Sequence, residues 1–213
     1  MNPRWIARRF AAAVVVMAVA ACQTPPEELT YLGDLPSWTF ETETGKPISS
    51  ESLRGKVWVA NFLFTSCPTS CPPLAQATAK LQERLKVWRK AGGPRIVSFT
   101  VDPVTDSGEV LRTFGRKYGA DPVVWSFARA DYAATNALVT EGFLQPLLRR
   151  DHPPGSPLAA VSEQPTPIDT AHSLRFVLVD GQGRMRALYD KDDASLDKLD
   201  RALQWLDEHG GDR

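Results

Sequence analysis

"FLFTSCPTSCPP", residues 62–73, ends one kind of pattern and begins another, with two cysteines four positions apart at the join. The run leading into it, "KVWVANFLFT" (56–65), is almost continuously apolar and rich in β-favouring residues, as in a strand buried on both faces. The run leading out, "PLAQATAKLQERLKVWRKAGG" (73–93), repeats apolar residues at Leu74, Ala77, Leu81, Leu85 and Trp88. That is a helical period, and Gly92 and Gly93 supply its stop. A central strand therefore feeds two cysteines into the start of a helix. Redox turns usually separate their cysteines by two residues, and here there are three.

The conformation of that wider turn follows from its prolines. Pro72 disfavours the α conformation for the residue before it, which places Cys71 at the N-cap. Pro72 and Pro73 fit the first turn, where a missing N–H costs little. Cys71 then faces the positive end of the helix dipole, a setting that lowers a thiol pKa. Cys67 lies on the preceding loop. Two such thiols can approach each other or jointly hold a soft metal ion, and the motif permits both.

The start of the chain indicates a compartment. "MNPRWIARRF" carries Arg4, Arg8 and Arg9 and no acid, and "FAAAVVVMAVAA" follows it. An apolar run of that length is short of the ~20 residues needed to span a bilayer and reads as an export signal. It ends in "VAAC" (19–22), small residues before a cysteine as in a bacterial lipobox. The expectation is a signal peptide over 1–21, a lipid-modified Cys22, a Pro-containing tether over 22–35 and one domain over 36–209. The product would be a periplasm-facing lipoprotein, anchored to a bacterial membrane without spanning it. Of three cysteines, Cys67 and Cys71 remain for the domain. A structural staple would close a long loop, and this pair closes almost none, so chemistry is the stronger reading.

Composition excludes some partners. Acidic and basic residues balance at 25 each, and loss of the three leader arginines leaves the remainder mildly acidic. Nothing points to nucleic acid or to an anionic lipid surface as partner. There are no internal repeats and no Gly-rich phosphate loop.

Outward from the cysteines, the remaining elements fall into place. "WTFETETGKPISSESLRG" (38–55) reads as a short hairpin. "RIVSFTVD" (95–102) is a second buried strand and "SGEVLRTFGRKYG" (107–119) a second helix. "VVWSFAR" (123–129) and "DYAATNALVTEGF" (131–143) repeat the strand–helix pair. "LRFVLVDGQGRMRALYD" (174–190) is a hairpin turning at Gly181 and Gly183, and "SLDKLDRALQWLDEH" (195–209) a closing amphipathic helix. The sum is an α/β domain of three layers with a central mixed sheet, thioredoxin-like with one inserted strand–helix unit. The cysteine loop would lie at the carboxyl end of the strands, where such sheets bind ligands.

A metal needs further ligands, and the chain has three histidines. His209 reads as a solvated residue of the last helix, and His152 sits in a Pro-rich loop. His172 stands shortly before the strand that opens the C-terminal hairpin. In a thioredoxin-like fold that loop packs against the cysteine motif and normally carries a cis proline, a place filled here by Ala171, His172 and Ser173. Two thiolates and one imidazole suit Cu(I), and can also take Cu(II) or zinc.

"FTSCPTSCP", "VDP" (101–103) and "HSLRFVLVDGQG" together resemble the Sco (SenC) family of copper-binding, membrane-attached proteins, over about residues 36–208. The resemblance implies copper bound by Cys67, Cys71 and His172. It implies delivery of copper to the binuclear site of cytochrome c oxidase subunit II, or reduction of that site's cysteines beforehand. Asp102 matches an acidic residue that tunes the site without binding the metal. The chain departs from the family at Ala171, where an acid is common and the nearest one is Asp169. It departs again at Leu63, where glycine is usual, and through the Pro-rich segment 144–170.

Rival readings also follow from the residues. "CPT" after a strand is shared with peroxiredoxins, but their peroxidatic cysteine needs a Thr or Ser three residues earlier, and Phe64 stands there. A periplasmic thiol–disulfide oxidoreductase or redox sensor explains the cysteine pair but gives His172 no task. A lipid-anchored interaction module explains neither. A metallochaperone, rather than an enzyme, is the expectation. Its thiols must be reduced before loading, which implies a periplasmic thiol reductant as a second partner.

Overall fold

A single mixed sheet of eight strands organises the domain, with strand order β1-β8-β7-β4-β5-β6-β2-β3. The computed structural model describes residues 24–145 and 174–210. At the centre lie β4 (Trp58–Leu63), β5 (Arg95–Thr100) and β6 (Trp125–Arg129), all parallel. The hairpin of β7 (Phe176–Val179) and β8 (Arg184–Tyr189) adds antiparallel to β4. On the other side the hairpin of β2 (Thr39–Thr42) and β3 (Pro47–Ser49) adds antiparallel to β6.

Burial on both faces explains why the run 56–65 lacks an alternating pattern. Every residue of β4 is buried. Val57, Val59 and Leu63 join the core shared with α1 (Cys71–Trp88), α2 (Gly108–Lys117) and α4 (Asp193–His209). Trp58, Ala60 and Phe62 face the opposite core. That second core centres on Phe99, whose ring lies 5.2 Å from Trp38, 5.6 Å from Phe40 and 5.6 Å from Phe143. It is covered by a short α3 (Tyr132–Ala137), which widens into one π-turn over Leu138–Gly142. Helices thus flank the sheet on both sides, which gives the three layers and mixed sheet expected from the pattern.

The helices begin where their capping residues dictate. Ser107, Asp131 and Asp192 are in extended conformation and accept from the N–H three residues on. Gly183 turns the β7–β8 hairpin with φ +82°, a conformation open to glycine. The helix after the cysteines differs from expectation by one residue. Its N-cap is Ser70, and Cys71 is already the first helical residue. The restriction that Pro72 places on Cys71 is a bias, and it yields here to the helix.

One element has no counterpart in the pattern. Within the stretch expected to be a tether, β1 (Gly33–Asp34) pairs antiparallel with β8. Thr30, Leu32 and Leu35 donate N–H bonds of 2.8–2.9 Å to the carbonyls of Arg186, Met185 and Gly183. The chain from Thr30 onward is therefore fastened along the edge of the sheet through backbone groups that carry no side-chain signature.

Candidate functional site

The strand β4 ends at Leu63, and the chain crosses the carboxyl edge of the sheet before α1 begins. Cys67 lies on this crossing and Cys71 at the first position of α1, buried at 4% and 3% exposure, and no disulfide joins them. Cys71 donates its backbone N–H to the Cys67 sulfur at 3.3 Å, and the Ser70 hydroxyl lies 3.3 Å from the same sulfur. Burial pushes the Cys67 thiol up, but bonds from Ser70 and from the N–H groups of Cys71 and Thr69 outweigh it. The thiol is held below its ordinary pKa. The backbone N–H of Cys71, at the helix start, thus points to the sulfur of Cys67 on the loop.

The loop is braced from below by a residue that the sequence reading did not single out. Asp106 is fully buried. It accepts from the Thr65 N–H at 3.1 Å, from the Thr65 hydroxyl and from the Thr100 hydroxyl at 2.6 Å. It therefore ties the segment leaving β4, two residues before Cys67, to the end of β5. Burial raises its pKa, the bonds from Thr100 and Thr65 oppose this, and the nearby Asp102 adds to the rise. The available signal was the spacing in "TVDPVTD": an acid four residues after Asp102, with threonines at 65 and 100 ready to donate.

Asp102 itself is buried at 7% exposure on the same carboxyl edge. Its N–H bonds Thr100 and its carboxylate accepts from the Thr105 N–H at 3.3 Å, so it shapes the turn that holds Asp106. His172, His152 and Cys22, together with most of the Pro-rich segment 144–170, lie outside the described residues. His209 is exposed near the end of α4, stacked on Trp205 at 4.6 Å with Nδ1 2.7 Å from the Trp205 carbonyl. Among the described residues no three metal-binding side chains stand together. The described donors are thus two sulfurs, one of them held toward the thiolate, a set matched to soft ions such as Cu(I). Among the described residues no helix is long and apolar enough to cross a membrane.

Residues 34–206 match the model of the family described as SCO1/SenC. A Bacillus subtilis protein called a SCO1 homolog is 35% identical over 124 residues, which cover 57% of this chain and 62% of the relative. This chain thus aligns with less than two thirds of that relative's length. A SCO1/SenC family lipoprotein from Bacillus anthracis superposes with TM-score 0.67 at 28% identity, covering 86% of this chain and 99% of that one. BsSco, described with a disulfide switch and as a member of the Sco family of cytochrome c oxidase assembly proteins, gives TM-score 0.66 at 27% identity, with 84% and 97% covered. Bradyrhizobium japonicum ScoI, solved with copper bound, shares the fold at TM-score 0.64 and 17% identity, over 82% and 99% of the two chains.

Proposed function

Because this chain belongs to the SCO1/SenC family, we propose that it handles copper in the assembly of cytochrome c oxidase. In this reading Cys67, Cys71 and His172 hold one copper ion as cargo. The ion passes by ligand exchange to the binuclear copper site of subunit II, or the thiols prepare that site. The observation that carries the reading is the pair of buried thiols at the start of α1, with the Cys67 sulfur accepting an N–H and facing a hydroxyl. Two soft donors already gathered lower the ordering cost of binding a soft ion. The imidazole of His172 would add the donor that Cu(II) requires. Cys22 would carry the lipid that keeps the domain at the periplasm-facing surface of a bacterial membrane, and a periplasmic thiol reductant would keep both cysteines reduced.

A second reading has its own support. A thiol held below its ordinary pKa beside a second thiol is equally the arrangement of a thiol–disulfide oxidoreductase or redox sensor. One substitution separates the two. His172→Ala leaves both thiols in place and removes the imidazole. Copper handling expects this variant to lose Cu(II) far more than Cu(I). In cells lacking the native gene and grown at low copper, it should fail to restore oxidase activity, as Cys67→Ser and Cys71→Ser fail. Full rescue by His172→Ala, with both serine variants inactive, would overturn copper handling in favour of thiol exchange.

A further inference from the structure

The N-terminal segment is fastened to the domain well before β1. Arg186, ion-paired at 2.9 Å to the fully buried Asp180, donates from Nε to the Thr30 carbonyl. Leu29 packs against the helical core, and Glu28 pairs with Lys198 of α4 at 3.2 Å. A turn closed by Leu29 N–H on the Pro26 carbonyl then brings Thr24 to Glu28 along the second half of α4, where they share a cleft with Arg201, Trp205 and Glu208.

That half of α4 lies beside the far end of α1. Trp88 donates its indole N–H to Asp200 at 2.8 Å, and Asp207 lies within reach of the charges of Lys90 and Arg89. Cys71 is the first residue of α1 and Trp88 the eighteenth, a separation of about 25 Å at 1.5 Å per residue. The chain therefore enters the fold at the pole opposite the thiols. A single residue, Gln23, separates Thr24 from Cys22. Whatever its conformation, the Cys22 Cα lies within about 7 Å of that of Thr24. The same pole shows Val87, 86% exposed, beside Lys86, which is paired to Glu83 at 2.9 Å, and carries the acids Asp207 and Glu208 near Lys90.

We propose that the pole formed by the C-terminal ends of α1 and α4 is the face this protein turns to the lipid surface, presenting Cys67 and Cys71 about 25 Å away from it. The acceptor this geometry fits is one whose metal-receiving groups stand clear of the bilayer at a similar height. The inference rests on the reading of Cys22 as the lipid-bearing residue. A free tether from 22 to 35 would let the thiols roam to any depth, whereas the docked one leaves almost no slack.

The test uses the full chain extracted from membranes and returned to vesicles of phosphatidylethanolamine and phosphatidylglycerol. Cys67→Ser and Cys71→Ser remove competing thiols, and a single fluorophore is placed at Val87→Cys or Val104→Cys. Val104 is 68% exposed and follows β5, whose Thr100 is in register with Leu63. It therefore marks the thiol edge. A nitroxide on the lipid headgroup, which quenches only near contact, should quench the Val87 label several-fold more than the Val104 label. Leu29→Asp, which releases the segment, should shrink that difference. Equal quenching, or stronger quenching at Val104, in vesicle-bound protein overturns the orientation alone. A chain that fails to float with vesicles and shows an unmodified Cys22 by mass spectrometry overturns the anchor as well.

Discussion

Replacing Asp106 tests whether the cysteine loop is held by the brace beneath it. In Asp106→Ala the Thr65 N–H loses its acceptor, and the Thr65 and Thr100 hydroxyls lose theirs. A buried donor left unpaired costs about 1–3 kcal/mol. The hydroxyls can rotate toward other acceptors, but the N–H cannot. Removing a buried carboxylate whose ionised form is disfavoured returns part of the loss. The net expectation is about 1–2 kcal/mol lost in urea unfolding at neutral pH. Asp106→Asn keeps an acceptor for the N–H and offers a donor to one hydroxyl, so it should cost less than about 1 kcal/mol. The pH dependence follows from the raised pKa. The contribution of Asp106 is fully present below its unfolded pKa of about 3.9 and is lost as pH rises through the higher folded value. The native chain should therefore lose ground to Asp106→Asn as pH rises from about 4 toward neutrality. A loss under about 1 kcal/mol for Asp106→Ala, or a native advantage that widens with pH, would refute the brace.

Three further outcomes are expected. Ser70→Ala removes the hydroxyl beside the Cys67 sulfur, so the pH at which Cys67 ionises should rise, read from thiolate absorbance near 240 nm. Phe99→Ala empties a fully buried site ringed by Trp38, Phe40, Trp58, Phe62 and Phe143, and should cost about 3–5 kcal/mol in denaturant unfolding. Leu144 holds a left-handed backbone, φ +55°, with its side chain 63% exposed. Leu144→Gly should therefore raise thermal stability by up to about 1 kcal/mol.

Much of the fold was legible because its signals are local. Apolar periodicity marked the central strands and the helices, and the polar and glycine residues between them marked their ends. Even the crossing that carries Cys67 and leads to Cys71 was visible, since a buried run and a helical run meet there. The docking of residues 30–35 was not legible: it is made by backbone N–H and carbonyl groups, which every sequence possesses, and by Arg186, which reaches the Thr30 carbonyl 156 residues away.

The site divides in the same way. The types and spacing of its two sulfur donors belong to the sequence, and so does the helix that follows them. Where the helix begins, and so where the Cys71 N–H points, was settled only by the folded backbone. Pro72 biased Cys71 toward the N-cap, yet the helix began one residue earlier and turned the Cys71 N–H onto Cys67. Asp106 shows the same limit from another side. Nothing in "TVDPVTD" distinguishes the acid that shapes a turn from the acid that braces a loop. That distinction arises only when parallel β4 and β5 bring Thr65 and Thr100 to one buried carboxylate, because hydrogen-bond partners 41 residues apart are chosen by packing, not by sequence neighbourhood.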